Sequence, residues 1–178
     1  IVVSVLNPLF RTQEMEKFRS PNLTVFSLDM VPRSTKAQAM DVLSSMASIS
    51  GYKAVIKAAE LYGSVFPMFT TAAGTIRPVK VLIIGAGVAG LQAIATAKRL
   101  GAVVNVFDVR SSAKEEVQSL GANFIEVAGA SENLNAGGYA IEQSEDYLEK
   151  QRALIDQYVS DAGIVISTAN IPGKRAPL

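Results

Sequence analysis

The sequence predicts an α/β fold built on an open parallel sheet, and three observations lead to this prediction. Short, fully apolar segments alternate with helical patterns in residues 80–178, as is typical of parallel strands covered on both faces. A glycine-rich turn directly follows the first of these segments. A strand–helix–strand pattern also occupies residues 1–35. We therefore expect two α/β regions, joined by a connecting segment over residues 36–79.

The N-terminal region is expected to be a portion of an α/β domain. Residues 1–6 form an apolar segment, and residues 24–30 alternate apolar and polar side chains, so both are predicted strands. Residues 11–19 form a polar helical stretch between them, which Pro21 ends. Together they predict one βαβ unit of a parallel sheet.

The connecting segment is predicted to be one long helix followed by a linker. Thr35 and Gln38 have the spacing of a capping box, in which the Thr caps the helix and the Gln reaches back to it. The helix is expected over residues 36–62, with Gly63 ending it. The linker then continues to the first strand of the C-terminal region.

The C-terminal region is predicted to be a parallel sheet that is cut short at its C-terminal end. Four strands are expected, at residues 81–84, 103–107, 124–127 and 164–166. Helices are expected between them, ending near residue 100 and then covering residues 113–120 and 144–159. Because four strands are few for such a sheet, we expect the chain to be a piece of a longer protein.

The composition excludes several classes of function. Lys and Arg number 17 against 16 Asp and Glu, a net charge of +1, which argues against a nucleic-acid-binding protein. There is no Cys and no His, so zinc–thiolate sites, cysteine nucleophiles and Ser-His-Asp catalysis are excluded. Two uncharged runs, residues 61–76 and 81–97, are too short to span a membrane. Chemistry must come from a cofactor or from residues outside this stretch, and no metal site is predicted.

The glycine turn predicts a dinucleotide site of the Rossmann type. Gly85, Gly87 and Gly90 follow the first strand and open a helix, whose free N–H groups can bind a pyrophosphate. Asp108 ends the next strand, at the distance of about 20 residues expected for the acid that binds the adenosine ribose. An acid there repels a 2′-phosphate, so NAD(H) is favoured over NADP(H). Arg110 lies close enough to accommodate such a phosphate, and a turn without ligand is the structural alternative.

A second group of polar residues comprises Arg33, Gln38, Asp41 and Ser44. The three-residue spacing from Gln38 to Asp41 and on to Ser44 predicts that they share one helix face. Asp41 would then fix Ser44 or Arg33 by charge-assisted hydrogen bonds. The alternative is structural: Gln38 closes the capping box, and Asp41 is a solvated acid in the first helical turn.

The glycine-containing stretch of residues 128–140 allows two interpretations. Its glycines can act as hinges of a lid, with Tyr139 closing over a ligand. It can equally be a surface loop without ligand.

Four segments together resemble the family of alanine dehydrogenases and proton-translocating NAD(P) transhydrogenases. They are residues 31–54, 81–110, 137–140 and 171–177, the last carrying Ile-Pro-Gly-Lys and Ala-Pro. The first and third segments resemble the NAD(H)-binding alpha subunit of the transhydrogenase branch. Alanine dehydrogenases are similar in the glycine turn and in the Ile-Pro-Gly segment, but they differ in the Arg-Gln-Asp-Ser group.

The resemblance implies roles for individual residues. Arg33, Gln38, Asp41 and Ser44 would line the nicotinamide side of a cleft as catalytic residues. The residues that would bind NAD are Gly85, Gly87, Val88, Ala89, Gly90, Asp108, Val109, Arg110, Gly138, Tyr139, Thr168 and Ala169.

The resemblance also implies a reaction and its setting. The reaction is reversible hydride transfer between NADH and NADP⁺, coupled to proton translocation in the intact enzyme. The implied partners are an NADP(H)-binding component and a membrane proton-channel component, and the implied assembly is a homodimer. The domain would be soluble and peripheral to an energy-transducing membrane, on its bacterial cytoplasmic or mitochondrial matrix side. An alanine dehydrogenase and a non-catalytic NAD(H)-binding module remain alternatives.

Overall fold

The computed structural model describes residues 1–19, 22–32, 34–127 and 145–169. These residues form two compact units, residues 1–46 and residues 47–169. Each unit is described by itself below. The three segments expected from the sequence, 1–35, 36–79 and 80–178, remain a prediction.

The first unit contains the predicted βαβ pattern. Strand β1 (Val2–Ser4) pairs in parallel with β2 (Val25–Ser27). Between them lie helix α1 (Thr12–Met15) and a single 3₁₀ turn (Glu16–Phe18). Parallel strands need a crossover connection, and the polar stretch after β1 supplies it.

The long helix begins later than the sequence predicts. Helix α2 spans Val42–Leu61 rather than residues 36–62. Gln38–Met40 forms a separate 3₁₀ turn, and Asp41 has φ −76° and ψ 89°, which is not helical. The predicted capping box is therefore wrong as the start of this helix. Gly63, with φ +70°, lies just beyond the C-terminal end, as expected.

The predicted linker contains a β-hairpin that the sequence analysis missed. Strand β3 (Phe69–Thr71) pairs antiparallel with β4 (Gly74–Ile76). Gly74 has φ +139°, a backbone conformation that side-chain-bearing residues rarely adopt. All six strand residues are exposed, so no buried face produced a clear alternating pattern.

The second unit confirms the predicted parallel sheet. Its strands are β5 (Lys80–Ile84), β6 (Val103–Phe107), β7 (Asn123–Ile125) and β8 (Ile164–Ser167). Their order is β7-β6-β5-β8, and every neighbouring pair is parallel. The helices are α3 (Val88–Arg99), α4 (Ala113–Ser119) and α5 (Glu145–Asp161).

Both faces of the central strand β5 are buried. Ile83 belongs to the larger apolar cluster, together with Ile94 of α3. Leu82 faces the opposite side, in a cluster that includes Leu154 and Ile155 of α5. Because successive side chains of a strand point to opposite faces, the apolar residues 81–84 of β5 require helices on both sides. No described helix is long and apolar enough to cross a membrane.

Candidate functional site

The turn after β5 is held by backbone contacts from two neighbouring strands. The Gly85 N–H donates to the Phe107 carbonyl at 2.8 Å, at the end of β6. Gly85 has φ +96°, and a Cβ there would lie 2.9 Å from the Ala169 nitrogen and from Thr168 Oγ1. Both the backbone angle and the lack of space therefore require glycine here.

The end of β8 closes the same turn. The Thr168 N–H donates to the Ile84 carbonyl at 2.8 Å, which continues the β5–β8 pairing. Its hydroxyl Oγ1 donates to the Gly85 carbonyl, also at 2.8 Å. A Cβ on Gly90 would collide with that carbonyl and lie 3.0 Å from Thr168 Oγ1. Gly85, Gly90, Thr168 and Ala169 thus form one packed cluster.

Gly87 differs from the other two glycines of the motif. Its φ of −78° is open to any residue, and a Cβ built on it would meet nothing within 4 Å. Gly87 is also the N-cap of α3, which begins with the exposed Val88 and has no side-chain cap. The first hydrogen bond of this helix runs from the Leu91 N–H to the Gly87 carbonyl. The first N–H groups of α3 thus have neither an acceptor within the helix nor a side-chain cap, and such a helix end is suited to binding an anion.

Asp108 lies beside this turn, at the end of β6. Its carboxylate accepts the Ala86 N–H at 2.7 Å and the Arg110 N–H at 2.9 Å. Burial raises the pKa of the Asp108 carboxyl, but the hydrogen bonds from Arg110 and Ala86 outweigh this effect and hold it below its ordinary value. The group is therefore an ionised carboxylate at neutral pH, with a side chain that is 6% exposed.

The guanidinium of Arg110 forms a two-pronged ion pair with the same carboxylate. Its Nε donates to Asp108 Oδ1, and its Nη2 donates to Oδ2, both at 2.9 Å. The hydrogen bond to Asp108 raises the pKa of Arg110 above its ordinary value. Val109, between the two, packs against the smaller apolar cluster. The sequence analysis placed Arg110 near a 2′-phosphate but did not foresee this pair.

In the first unit, Asp41 caps helix α2. Its Oδ1 accepts the Ser44 N–H at 2.9 Å, and its Oδ2 accepts the Ser44 hydroxyl at 2.6 Å. The predicted fixation of Ser44 by Asp41 is thus confirmed. The predicted common helix face is wrong for Gln38, which lies in the separate 3₁₀ turn. Asp41 is the N-cap instead of a first-turn acid, because its side chain binds the third N–H group of the helix.

Three predicted site residues lie outside the described portion of the chain. They are Arg33, Gly138 and Tyr139. Their proposed roles therefore remain predictions, as does the choice between a lid and a surface loop.

Two further residues of the site escaped the sequence analysis. Ala86 supplies the backbone donor that joins the turn to Asp108. Gly51 of α2 packs against α3, because a Cβ there would collide with the Ala89 carbonyl. An isolated glycine within a helical pattern often has a packing reason, and in Gly51 that reason is the close approach of α3.

The architecture and the turn define a class of protein. A parallel sheet of order β7-β6-β5-β8, a glycine turn that opens a helix, and an acid that ends the next strand constitute a Rossmann-type dinucleotide-binding domain. The chain belongs to the alanine dehydrogenase/transhydrogenase family: the family model described as "Alanine dehydrogenase/PNT, C-terminal domain" matches residues 54–178. The resemblance inferred from the sequence is thereby confirmed.

Several relatives are named as transhydrogenase subunits. One from Rickettsia prowazekii, named as the first portion of NAD(P) transhydrogenase subunit alpha, is 49% identical over 178 residues, which is 100% of this chain and 46% of the relative. The protein of the same name from Rhodospirillum rubrum is 44% identical over 180 residues, which is 100% of this chain and 47% of the relative. The chain thus spans about half the length of these relatives.

Solved structures agree with the assignment. The crystal structure of transhydrogenase from Sinorhizobium meliloti has a TM-score of 0.84 and 46% identity, and the match covers 99% of this chain and 47% of that one. An L-alanine dehydrogenase structure has a TM-score of 0.65 at 22% identity, covering 99% of this chain and 44% of that one. At that identity the second match shows the fold alone.

Proposed function

We propose that the chain forms the NAD(H)-binding portion of a proton-translocating NAD(P) transhydrogenase. In the complete enzyme it would take part in reversible hydride transfer between NADH and NADP⁺. The names of the relatives support this proposal, and so does the confirmed family. The observation that carries the binding function is the open space over Gly87, at the start of α3 and beside the carboxylate of Asp108.

The residues of the second unit fit NAD(H) in two ways. The N–H groups at the start of α3 would hold the pyrophosphate, because they carry the positive end of the helix dipole. Asp108 would accept hydrogen bonds from the adenosine ribose, and its negative charge would disfavour a 2′-phosphate. Thr168 and Ala169 would border the same nucleotide, since they close the turn from the side of β8.

The chemistry needs little from the protein beyond positioning. The nicotinamide ring, when bound, supplies the hydride or accepts it. Hydride passes directly between two rings, so no general acid or base is required, which agrees with a chain that has no His. We assign the orientation of the ring and the exclusion of water to Arg33, Gln38, Asp41 and Ser44, with Gly138 and Tyr139 closing over the nucleotide.

The partners follow from the same proposal. An NADP(H)-binding component would dock where the nicotinamide is presented, and a membrane component would conduct the protons. We further propose a homodimer that is peripheral to an energy-transducing membrane, on the bacterial cytoplasmic or mitochondrial matrix side.

A hydride-transfer assay tests the proposal. The full natural protein is mixed with NADH and thio-NADP⁺, with and without the NADP(H)-binding component, and the reduced thio-nucleotide is followed by its absorbance. We expect transfer only when the component is present. Alanine with NAD⁺ serves as the parallel reaction and should yield no NADH. Oxidation of alanine would identify an alanine dehydrogenase instead. NADH binding without transfer in the presence of the component would identify a non-catalytic module.

A further inference from the structure

The hydrogen bonds that the carboxylate of Asp108 accepts fill its acceptor positions. An ionised carboxylate offers about four lone-pair positions on its two oxygens. Ala86 N–H, Arg110 N–H, Arg110 Nε and Arg110 Nη2 donate to these two oxygens, at 2.7 to 2.9 Å. A ribose that is to donate its hydroxyls to this carboxylate must therefore replace one or more of the donors.

The four donors differ in whether a ligand can displace them from the carboxylate. The N–H groups of Ala86 and Arg110 are backbone groups, at the glycine turn and just after β6, and the fold holds them in place. The guanidinium of Arg110 ends a flexible side chain. Its side chain is 28% exposed, whereas that of Asp108 is 6% exposed, so the guanidinium is the more solvent-accessible partner of the pair. It is the donor that an arriving ribose would displace.

We propose that the guanidinium of Arg110 competes with the adenosine ribose for Asp108, and that this competition limits the affinity of the site for nucleotide. The inference rests on the proposed NAD(H)-binding function. The backbone donors keep the carboxylate oriented whether or not Arg110 is paired with it. Arg110 is therefore a specificity-determining residue, since it makes binding an exchange of one hydrogen-bonded partner for another rather than a simple addition.

Competition between Arg110 and the ribose can be distinguished from a general effect of the positive charge of Arg110 on phosphate-bearing ligands. A ligand that lacks the 2′-hydroxyl gains less from an uncovered carboxylate than one that carries it. Loss of the positive charge of Arg110 would weaken the attraction for every phosphate-bearing ligand alike. The ratio of the affinities for 5′-AMP and 2′-deoxy-AMP therefore reports on the carboxylate alone.

The test measures the affinities for 5′-AMP, 2′-deoxy-AMP and NADH by titration calorimetry in the full natural protein. Arg110→Met is compared with the wild type. A partly exposed ion pair contributes at most about 1 kcal/mol, which corresponds to roughly a fivefold change in affinity. We therefore expect the ratio of AMP affinity to 2′-deoxy-AMP affinity to rise about three- to fivefold in Arg110→Met. Arg110→Lys keeps the positive charge but cannot form the two-pronged ion pair, so it should give a smaller rise in this ratio. Arg99→Met removes an exposed arginine from the end of α3 and should leave the ratio unchanged.

The other outcomes overturn the proposal in distinguishable ways. An equal or lower ratio in Arg110→Met, with NADH still bound by the wild type, overturns the competition and leaves the proposed function standing. Failure of the wild type to bind NADH or AMP overturns both. If Arg110→Met does not fold, the Arg110→Lys comparison decides, and an unchanged ratio there counts against the competition.

Discussion

At the scale of single residues, the three glycines of the turn differ in whether the fold requires them. Gly85 needs its positive φ, and Gly90 needs its lack of a side chain because the Gly85 carbonyl fills that space. Neither reason holds for Gly87, whose surroundings within the protein would accept an alanine. Under the proposed function, a nucleotide that approaches the backbone accounts for a glycine that the fold itself does not require.

Replacement of Gly87 and of Gly90 by alanine should therefore separate binding from folding. Gly87→Ala should change the free energy of unfolding by less than about 1 kcal/mol, because the lower entropy of the unfolded chain is offset by the poorer N-cap that alanine provides for α3. Its added methyl group should weaken NADH binding at least about tenfold, since each lost hydrogen bond to a charged group is worth about 1.5–3 kcal/mol. Gly90→Ala should lower the free energy of unfolding by about 1–3 kcal/mol through overpacking. Urea denaturation measures the free energy of unfolding, and titration measures the affinity for NADH. Tight NADH binding by Gly87→Ala would show that bound NADH does not occupy the space beside Gly87.

At the scale of secondary structure elements, the start of α2 combines a structural and a proposed catalytic role in Asp41. Asp and Ser are about equally good N-caps, whereas Ala cannot accept the N–H group of Ser44. The capping role and the proposed catalytic role can therefore be tested separately at this one position.

Asp41→Ser should keep the melting temperature of the wild type and slow hydride transfer. Asp41→Ala should slow the transfer as well, and it should lower the free energy of unfolding by about 1 kcal/mol, the usual value of a cap. Thermal denaturation and the hydride-transfer assay are run on both variants of the full natural protein. A normal transfer rate in Asp41→Ser would leave Asp41 with the capping role alone.

The elements also show what local sequence patterns predict well and where they fail. Strand β5 and the turn at Gly85 were predictable because an apolar run and a glycine spacing are local signals. The start of α2 was not, because two capping patterns compete within a few residues and the pattern at Asp41 prevails. The two-pronged ion pair between Arg110 and Asp108 depends on the side-chain conformations at the end of β6. The spacing of residues in the sequence does not determine these conformations.

At the scale of the whole molecule, the described apolar core lies almost entirely in the second unit. Among the described residues, Ala37 is the buried apolar residue of the first unit, and the other buried apolar residues belong to the second. Asp108 joins the turn to the end of β6 within that second unit. Its protonation should therefore affect the stability of the better-packed portion of the chain.

The contribution of Asp108 to the free energy of unfolding should decrease as the pH falls. Its carboxyl has a lowered pKa in the folded state, so its contribution is present above the ordinary value of about 3.9 and is lost as the pH falls through the folded-state value. Asp108→Asn should lower the free energy of unfolding at pH 7 by about 1.5–3 kcal/mol, the value of a hydrogen bond to a charged group. This difference from the wild type should shrink towards zero as the carboxyl becomes protonated. Urea denaturation followed by circular dichroism at a series of pH values measures it.

Asp161→Asn is the matched control for this prediction. Asp161 also accepts hydrogen bonds from a basic side chain, Lys80, at 2.7 Å through Oδ1. Its side chain is 57% exposed, and exposed ion pairs contribute little to stability. The control variant should therefore differ little from the wild type at any pH. A difference for Asp108→Asn that stays constant down to strongly acidic pH would mean that the side chain supports the turn through its shape rather than through its charge.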